Sequence, residues 1–135
     1  MHETEIIVRY AETDQMGIAH HSNYAIWFEA ARTEFIKSLG ISYSKIEELG
    51  LILPLRSLYC EYRKPARYED RIIIETKFKE FNGIRLSFSY NVINKGNGDL
   101  LATGVTEHVW TDKSLVPCIL KKKNKEIYDL IQKNI

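Results

Sequence analysis

A run of apolar residues at helical spacing between Asn23 and Gly40 constrains the fold of this 135-residue chain more than any other feature. The residues that repeat at this spacing are Tyr24, Trp27, Phe28, Ala31, Phe35 and Leu39, and the stripe is widened by Ala25, Ile26 and Ala30. Ser22 or Asn23 can cap the start of the predicted helix, and Gly40 can end it. Because this apolar face is broader than a surface helix needs, we expect a sheet to wrap around the helix.

Most of the remaining chain shows the alternation of apolar and polar residues that is typical of β-strands. The predicted strands cover residues 5–11, 51–64, 71–80, 84–94 and 100–111. In the first of them, the alternation places Ile6, Val8 and Tyr10 on one side. Pro54 interrupts the second, so its beginning is predicted to be a loop or a sheet edge.

Turn and capping residues mark the places where these elements begin and end. Asn82-Gly83 predicts a tight turn between two strands, because both residues tolerate positive φ. Ser44 and Glu47 have the spacing of a capping box, which predicts the start of a short helix that Gly50 ends. Apolar residues at helical spacing also predict a closing helix within residues 123–135.

The order of these elements predicts an α+β fold, in which one long helix lies against a curved antiparallel sheet of about five strands. After the helices, about four strands are expected to follow one another as an antiparallel meander. The chain length fits a single domain over residues 1–135. A sheet of this kind has two open edges, and pairing of two subunits edge to edge would cover them, so we expect a homo-oligomer.

The composition narrows the class of protein and the kinds of partner. Hydrophobic residues make up 44% and charged residues 27%, which is typical of a soluble globular protein. The net charge of +1 predicts neither a nucleic-acid nor a membrane partner, and without a signal-peptide pattern we expect a cytoplasmic protein. Cys60 and Cys118 stand at no metal-ligand spacing, and adjacent His20 and His21 cannot readily share one metal ion. We therefore predict no metal and no cofactor.

The segment from Arg9 to Tyr24 contains the residues best suited to chemistry. It ends a predicted strand, forms a loop with Asp14 and Gly17, and then opens the apolar helix. A helix N-terminus carries unpaired N–H groups and partial positive charge, so it can stabilise an oxyanion. A carboxylate close to such a site suggests acyl transfer or hydrolysis. Structural explanations exist too, since Asp before a glycine is common in turns and His21 can be a polar residue at a helix start.

The segment from Tyr10 to Tyr24 resembles the active-site loop of hotdog-fold acyl-CoA thioesterases, a resemblance that extends over nearly the whole chain. The parts of the loop that carry it are Thr13-Asp14, Gly17-Ile18 and His21-Ser22-Asn23-Tyr24. Residues 28–34 resemble the helix of this family, and residues 62–70, which contain a Pro-Ala-x-x-x-Asp stretch, resemble its strand and turn after the helix. The family is the 4-hydroxybenzoyl-CoA thioesterase type, including the bacterial Tol-Pal-associated acyl-CoA thioesterases.

The resemblance implies a role for each matching position. Asp14 matches the catalytic carboxylate, as a general base or as a nucleophile, and the His21 backbone N–H matches the donor that faces the thioester carbonyl. Tyr10 and the His21 side chain match a tyrosine and a histidine that the Tol-Pal-associated branch uses. The remaining positions, which are predicted to bind substrate, are Gly17 and Asn23 in the loop and, near the coenzyme A nucleotide, Arg85 and Ser87.

The resemblance therefore implies an acyl-CoA thioesterase that acts as a homodimer or homotetramer, with active sites between subunits and acyl-CoA as substrate. One alternative is a thioesterase that acts on acyl-carrier protein, and affinity for the two carriers would separate them. Another is a non-catalytic acyl-CoA binding protein, which would bind ligand without turnover. Retention of Asp14 argues against this second alternative.

Overall fold

A computed structural model describes residues 1–135 and shows one long helix, several short ones and a five-stranded antiparallel sheet. In chain order the elements are β1 (His2–Ile7), α1 (Ser22–Ser38), α2 (Tyr43–Glu48), β2 (Leu51–Ile52), β3 (Leu55–Tyr62), β4 (Arg71–Phe81), β5 (Arg85–Asn94), β6 (Leu100–Val109), β7 (Thr111–Asp112), α3 (Leu120–Lys123) and α4 (Lys125–Gln132). The predicted α+β fold is confirmed. None of the helices combines the length and the apolar character that crossing a bilayer requires.

The strand order of the main sheet is β1-β4-β5-β6-β3, which differs from the predicted meander in the position of one strand. β4, β5 and β6 do follow one another as neighbours, but β3 pairs with β6 at the far edge. The reason is that β1 already pairs with β4, over the register His2↔Thr76 to Ile7↔Arg71. With both sides of β4 occupied, β3 pairs with the free side of β6.

The sheet covers one face of α1, and the two are in close contact at Gly104 of β6. A Cβ atom added at Gly104 would lie 2.5 Å from two ring atoms of Phe28, so the absence of a side chain makes room for that ring. The Phe28 ring also stacks on Tyr90, with centroids 4.3 Å apart. The face of α1 that is buried consists of Tyr24, Trp27, Phe28, Ala31, Phe35 and Ile36.

The sequence predicted a wider buried face of α1 than the single chain has, and in this respect the prediction was wrong. Ala25, Ile26 and Ala30, which widen the stripe in the sequence, are exposed on the other side of α1. The sheet therefore wraps only the inner face, because a five-stranded sheet of one subunit reaches one side of the helix. The predicted end of the helix is confirmed, since Gly40 takes the left-handed conformation at φ +98°.

Other element boundaries differ from the sequence prediction by short stretches. β1 ends at Ile7, and Tyr10 lies in a short 3-10 turn rather than on the inner side of a strand. The turn forms because the amide of Glu12 donates to the carbonyl of Arg9 at 3.0 Å. The capping residue of α2 is Ser42, whose hydroxyl accepts from the Lys45 amide at 3.2 Å, and not Ser44.

A chain of buried polar groups crosses the core from β5 through β6 to the segment that follows β2. The hydroxyls of Tyr90 and Thr106 are 2.5 Å apart, and Thr106 lies 2.9 Å from Nε2 of His108. The other ring nitrogen, Nδ1, donates to the carbonyl of Leu53 at 3.3 Å. With Nδ1 as donor and Nε2 as acceptor, the ring is neutral. Burial and then the nearby Arg32 guanidinium lower the pKa of His108 to about 4.

We predict that Gly104→Ala lowers the free energy of unfolding by about 1–3 kcal/mol, because the new methyl group overlaps the Phe28 ring. Urea titration followed by circular dichroism measures this change. In the double variant Gly104→Ala/Phe28→Leu the smaller side chain gives way, so the loss should be less than the sum of the two single losses. Strictly additive losses would show that the two residues are not in steric contact.

We predict that His108 makes stability depend on pH between about 6.5 and about 4. Its folded-state pKa lies below its unfolded-state value of 6.5, so its contribution is fully present above pH 6.5 and declines as the pH falls through this window. The difference in pKa corresponds to about 3 kcal/mol. Relative to His108→Gln, the wild-type chain should lose about this much unfolding free energy between neutral pH and pH 4. A constant difference between the two proteins would contradict the prediction.

Candidate active site

The loop between β1 and α1 holds Asp14 in a tight turn. The amide of Met16 donates to Asp14 Oδ1 at 2.8 Å, and the amide of Gly17 donates to the Asp14 carbonyl at 2.9 Å. Gly17 has φ +78°, a conformation that glycine adopts without strain, so the turn favours a glycine at this point. One carboxylate oxygen, Oδ2, makes no hydrogen bond within the chain. Asp14 is therefore anchored through Oδ1 while Oδ2 remains available for chemistry.

The start of α1 is held by the side chain of His20, two residues before the helix, and not by a Ser22 or Asn23 side-chain cap as predicted. Nδ1 of His20 accepts from the Ser22 amide at 3.2 Å and lies 2.8 Å from the Ser22 hydroxyl. The His20 carbonyl accepts from the Asn23 amide at 3.0 Å. In contrast, the amide of His21 donates to no acceptor in the chain. His21 thus combines an unpaired N–H with the positive end of the 17-residue helix α1.

Asp14 and His21 line the same groove, which has a volume of about 470 Å³. Its apolar lining consists of Met16, Ile18, Ala19, Tyr24, Tyr62 and Pro65. Three cationic side chains, those of Arg63, Lys64 and Arg67, complete the lining, whereas Asp14 is its one acidic residue. The groove therefore joins a carboxylate, a helix N-terminus and an apolar wall in a positively charged setting, which suits an apolar substrate attached to an anionic carrier.

A second groove, of about 610 Å³, lies on the other side of the same loop. Tyr10, Gly17 and Asp14 line it, so Asp14 belongs to both grooves. Tyr10 is 76% exposed, and its ring meets that of Tyr68 edge to face at a centroid distance of 5.6 Å. The structure thus brings Tyr10, Asp14, Gly17 and His21 together around one loop.

The other predicted binding residues lie elsewhere or have structural partners. The side-chain amide of Asn23 donates to the carbonyls of Glu12 at 2.9 Å and His20 at 3.0 Å, so it braces the loop. Arg85 and Ser87 line a separate hollow of about 260 Å³ beside the turn after β4. Two glutamates share that hollow, and the Ser87 hydroxyl accepts from the Glu80 amide at 3.1 Å. Within one chain, Arg85 and Ser87 are therefore not part of the Asp14 groove.

Sequence reasoning missed Glu12, whose carboxylate is buried behind the loop and only 5% exposed. It accepts from the Arg9 amide at 2.8 Å and from the Trp27 indole at 2.9 Å. Burial by itself raises the pKa of Glu12, but these hydrogen bonds and the Arg9 guanidinium outweigh it and lower the pKa overall. The three-residue spacing of Arg9 and Glu12, that of a capping box, was the one signal available.

No group of three or more histidine, cysteine, aspartate or glutamate side chains lies close enough to hold a metal ion. The groups with chemical capacity around this loop are the Asp14 carboxylate, the N-terminus of α1 and the side chains of Tyr10 and His21. Within the loop, Asp14 Oδ2 and the His21 amide have no hydrogen-bond partner in the chain.

Comparison with known proteins identifies relatives over most of the chain. The model of the thioesterase-like superfamily matches residues 8–126. YneP of Bacillus subtilis is 39% identical over 109 residues, which cover 81% of this chain and 78% of YneP. The acyl-CoA thioester hydrolase YbgC of Escherichia coli O157:H7 is 30% identical over 90 residues, 67% of each chain. The crystal structure of a DHNA-CoA thioesterase from Staphylococcus aureus superposes with a TM-score of 0.92 at 35% identity, over 97% of this chain and 88% of that one.

Proposed function

The chain belongs to the thioesterase-like superfamily, and from this premise we propose that it hydrolyses acyl-CoA to a free acid and coenzyme A. The same similarity supports the hotdog fold. The observation that carries the proposal is the shared groove of Asp14 and His21, where a carboxylate oxygen and a helix-start N–H are both free of partners within the chain. YbgC and the Staphylococcus aureus enzyme are named for the hydrolysis of CoA thioesters.

The N-terminus of α1 is the proposed site for the thioester carbonyl oxygen. As the carbonyl carbon is attacked, its oxygen becomes negatively charged, and a fixed N–H donor stabilises this charge without reorganisation. The His21 amide is the free donor, and the dipole of α1 adds to its effect. One such donor is typically worth about 3 kcal/mol of transition-state stabilisation.

Asp14 is the proposed base or nucleophile. It either removes a proton from water or attacks the carbonyl carbon directly to give a mixed anhydride, which water then hydrolyses. In both routes a C–O bond forms at the carbonyl carbon, the C–S bond breaks, and the electron pair leaves with the coenzyme A sulfur. Because a thiolate is a good leaving group, no strong general acid is needed. Tyr10 and the His21 ring, exposed on either side of Asp14, are proposed to contact the substrate.

We also propose that two copies of the chain pair along β3. The two edges of the sheet differ in exposed apolar surface, because the open edge strand β1 exposes Glu3, Glu5 and one large apolar residue, Ile7, whereas β3, besides Arg56 and Glu61, exposes four large apolar side chains. These are Leu55, Leu58, Tyr59 and Tyr62. Charged residues protect an edge strand from pairing, and an apolar edge favours it. Tyr62 also lines the Asp14 groove, so pairing along β3 would bring the second subunit next to the site.

Three further statements remain predictions: that residues 1–135 form a single domain, that the protein is cytoplasmic, and that Asn23, Arg85 and Ser87 contact substrate. Within one chain, Arg85 and Ser87 lie in a hollow separate from the Asp14 groove. They would contact the substrate only if the substrate, or a second subunit, reached from that hollow to the groove.

We predict that Asp14→Asn lowers kcat for acyl-CoA hydrolysis by on the order of 10²-fold or more, because the amide can neither accept a proton nor attack the carbonyl. Release of free coenzyme A, followed with a thiol reagent over a panel of acyl-CoAs, measures the rate. The Asn side chain keeps an oxygen to accept from the Met16 amide, so the turn should persist.

His21→Ala provides the matched comparison, because it removes the ring but keeps the backbone N–H at the start of α1. It should retain more activity than Asp14→Asn does. An Asp14→Asn protein that hydrolyses its best substrate at nearly the wild-type rate would refute the assignment of Asp14. The proposed function itself would fail if the wild-type chain released no thiol from any acyl-CoA in the panel.

We predict that the wild-type chain is a dimer or a larger assembly of dimers, and that Leu58→Lys shifts it toward monomer by placing a charge on the β3 edge. Analytical ultracentrifugation measures the mass of each protein. The matched control is Ile7→Lys, which places the same charge at an exposed position of β1 and should leave the assembly intact. A wild-type chain that sediments as a monomer at assay concentration would contradict the pairing.

A further inference from the structure

We infer that Glu12 is a positioning residue for the reaction, in that its buried carboxylate and its carbonyl hold Asp14 and the start of α1 in one arrangement. This inference rests on the proposed thioesterase function. Glu12 lies two residues before Asp14, but it faces away from both grooves of the site and lines neither of them. Any effect on the reaction must therefore pass through the residues that it holds.

The carboxylate of Glu12 links Arg9, two residues after the end of β1, with α1. Oε1 accepts from the Arg9 amide at 2.8 Å, and Oε2 accepts from Nε1 of Trp27 at 2.9 Å. The Arg9 guanidinium lies 3.5 Å from Oε2 and balances the charge. Trp27 is itself only 2% exposed on the inner face of α1, so the carboxylate is tied to the buried face of the helix.

The carbonyl of Glu12 closes the loop from the other side. It accepts from the His20 amide at 2.8 Å and from the Asn23 side-chain amide at 2.9 Å. Asp14 therefore lies just inside the closed segment, and His21 lies just beyond it. Asp14 lies two residues after Glu12, and His21 directly follows His20, whose amide donates to the Glu12 carbonyl. The distance between the Asp14 carboxylate and the His21 amide therefore depends on this closure.

The hydrogen-bond requirements at Glu12 explain why a carboxylate is needed. The groups that face its two oxygens, including the Arg9 guanidinium beside Oε2, are all N–H donors, and an ionised carboxylate accepts at both oxygens. A glutamine has nearly the same shape, but one of its two terminal atoms is an NH₂ group. In Glu12→Gln, this NH₂ must face either the Arg9 amide or the Trp27 indole, so that one bond is replaced by a contact between two donors.

The test compares Glu12→Gln with Trp27→Phe and with the double variant Glu12→Gln/Trp27→Phe. Phenylalanine removes the indole donor, so the glutamine can turn its oxygen to the Arg9 amide and its NH₂ toward the ring. We expect Glu12→Gln to lower kcat by about ten- to a hundredfold with KM within about twofold, because small misplacements of reacting groups affect the chemical step. The double variant should have a higher kcat than Glu12→Gln.

Loss of stability is controlled with Ile131→Ala, which removes a buried side chain from α4 and leaves the loop untouched. All assays are run well below the melting temperature of each variant. Ile131→Ala should lower the melting temperature and keep the wild-type kcat. The inference is overturned if Glu12→Gln lowers the melting temperature but leaves kcat unchanged, or if the double variant is no more active than Glu12→Gln. A wild-type chain without activity would instead refute the proposed function.

Discussion

The contact between Phe28 and Gly104 determines how closely α1 approaches the sheet, and the position of the site depends on it. Where a side chain would stand on β6, the ring of Phe28 occupies the space and stacks on Tyr90 of the neighbouring strand. One residue earlier, Trp27 reaches the buried carboxylate of Glu12. The contact that seats the helix and the hydrogen bond that holds the loop are thus made by adjacent residues of one helical turn, which ties the loop to the core.

The loop divides its polar groups between structure and chemistry. Glu12, His20 and Asn23 use their hydrogen-bonding capacity within the chain, and together they close the loop and cap α1. Asp14 Oδ2 and the His21 amide are left without partners in the chain, at the positive end of a long helix. Because His21 is exposed and Asp14 is half-buried, water can satisfy both groups in the free protein, and a substrate can displace that water. A free donor and a free acceptor lining one groove are the main physical argument for a site at this loop.

The sequence predicted the elements of the fold well where the pattern is local. Alternation in β4 and β5 and the glycine that ends α1 depend on neighbouring residues, and these predictions are confirmed. The placement of β3 beside β6 was not predictable in this way, because it follows from β1 occupying the other side of β4. Glu12 escaped notice for a similar reason, since its partner Trp27 lies fifteen residues away and is adjacent only after folding. Asp14 was found from its place in the loop before a helix start and from the family resemblance of that loop, whereas its free oxygen is visible only in the structure.

The apolar stripe of α1 in the sequence is broader than the face that the sheet of one chain buries, and the difference consists of exposed apolar residues. Ile26 lies on the outer side of α1, and Leu58 and Tyr59 lie on β3, all of them exposed. The start of α1 and the end of β3 meet where the ring of Tyr24 contacts that of Tyr62 edge to face, at a centroid distance of 4.9 Å. Both tyrosines line the Asp14 groove. A subunit that paired along β3 would therefore lie next to the wall of the groove that these two rings form.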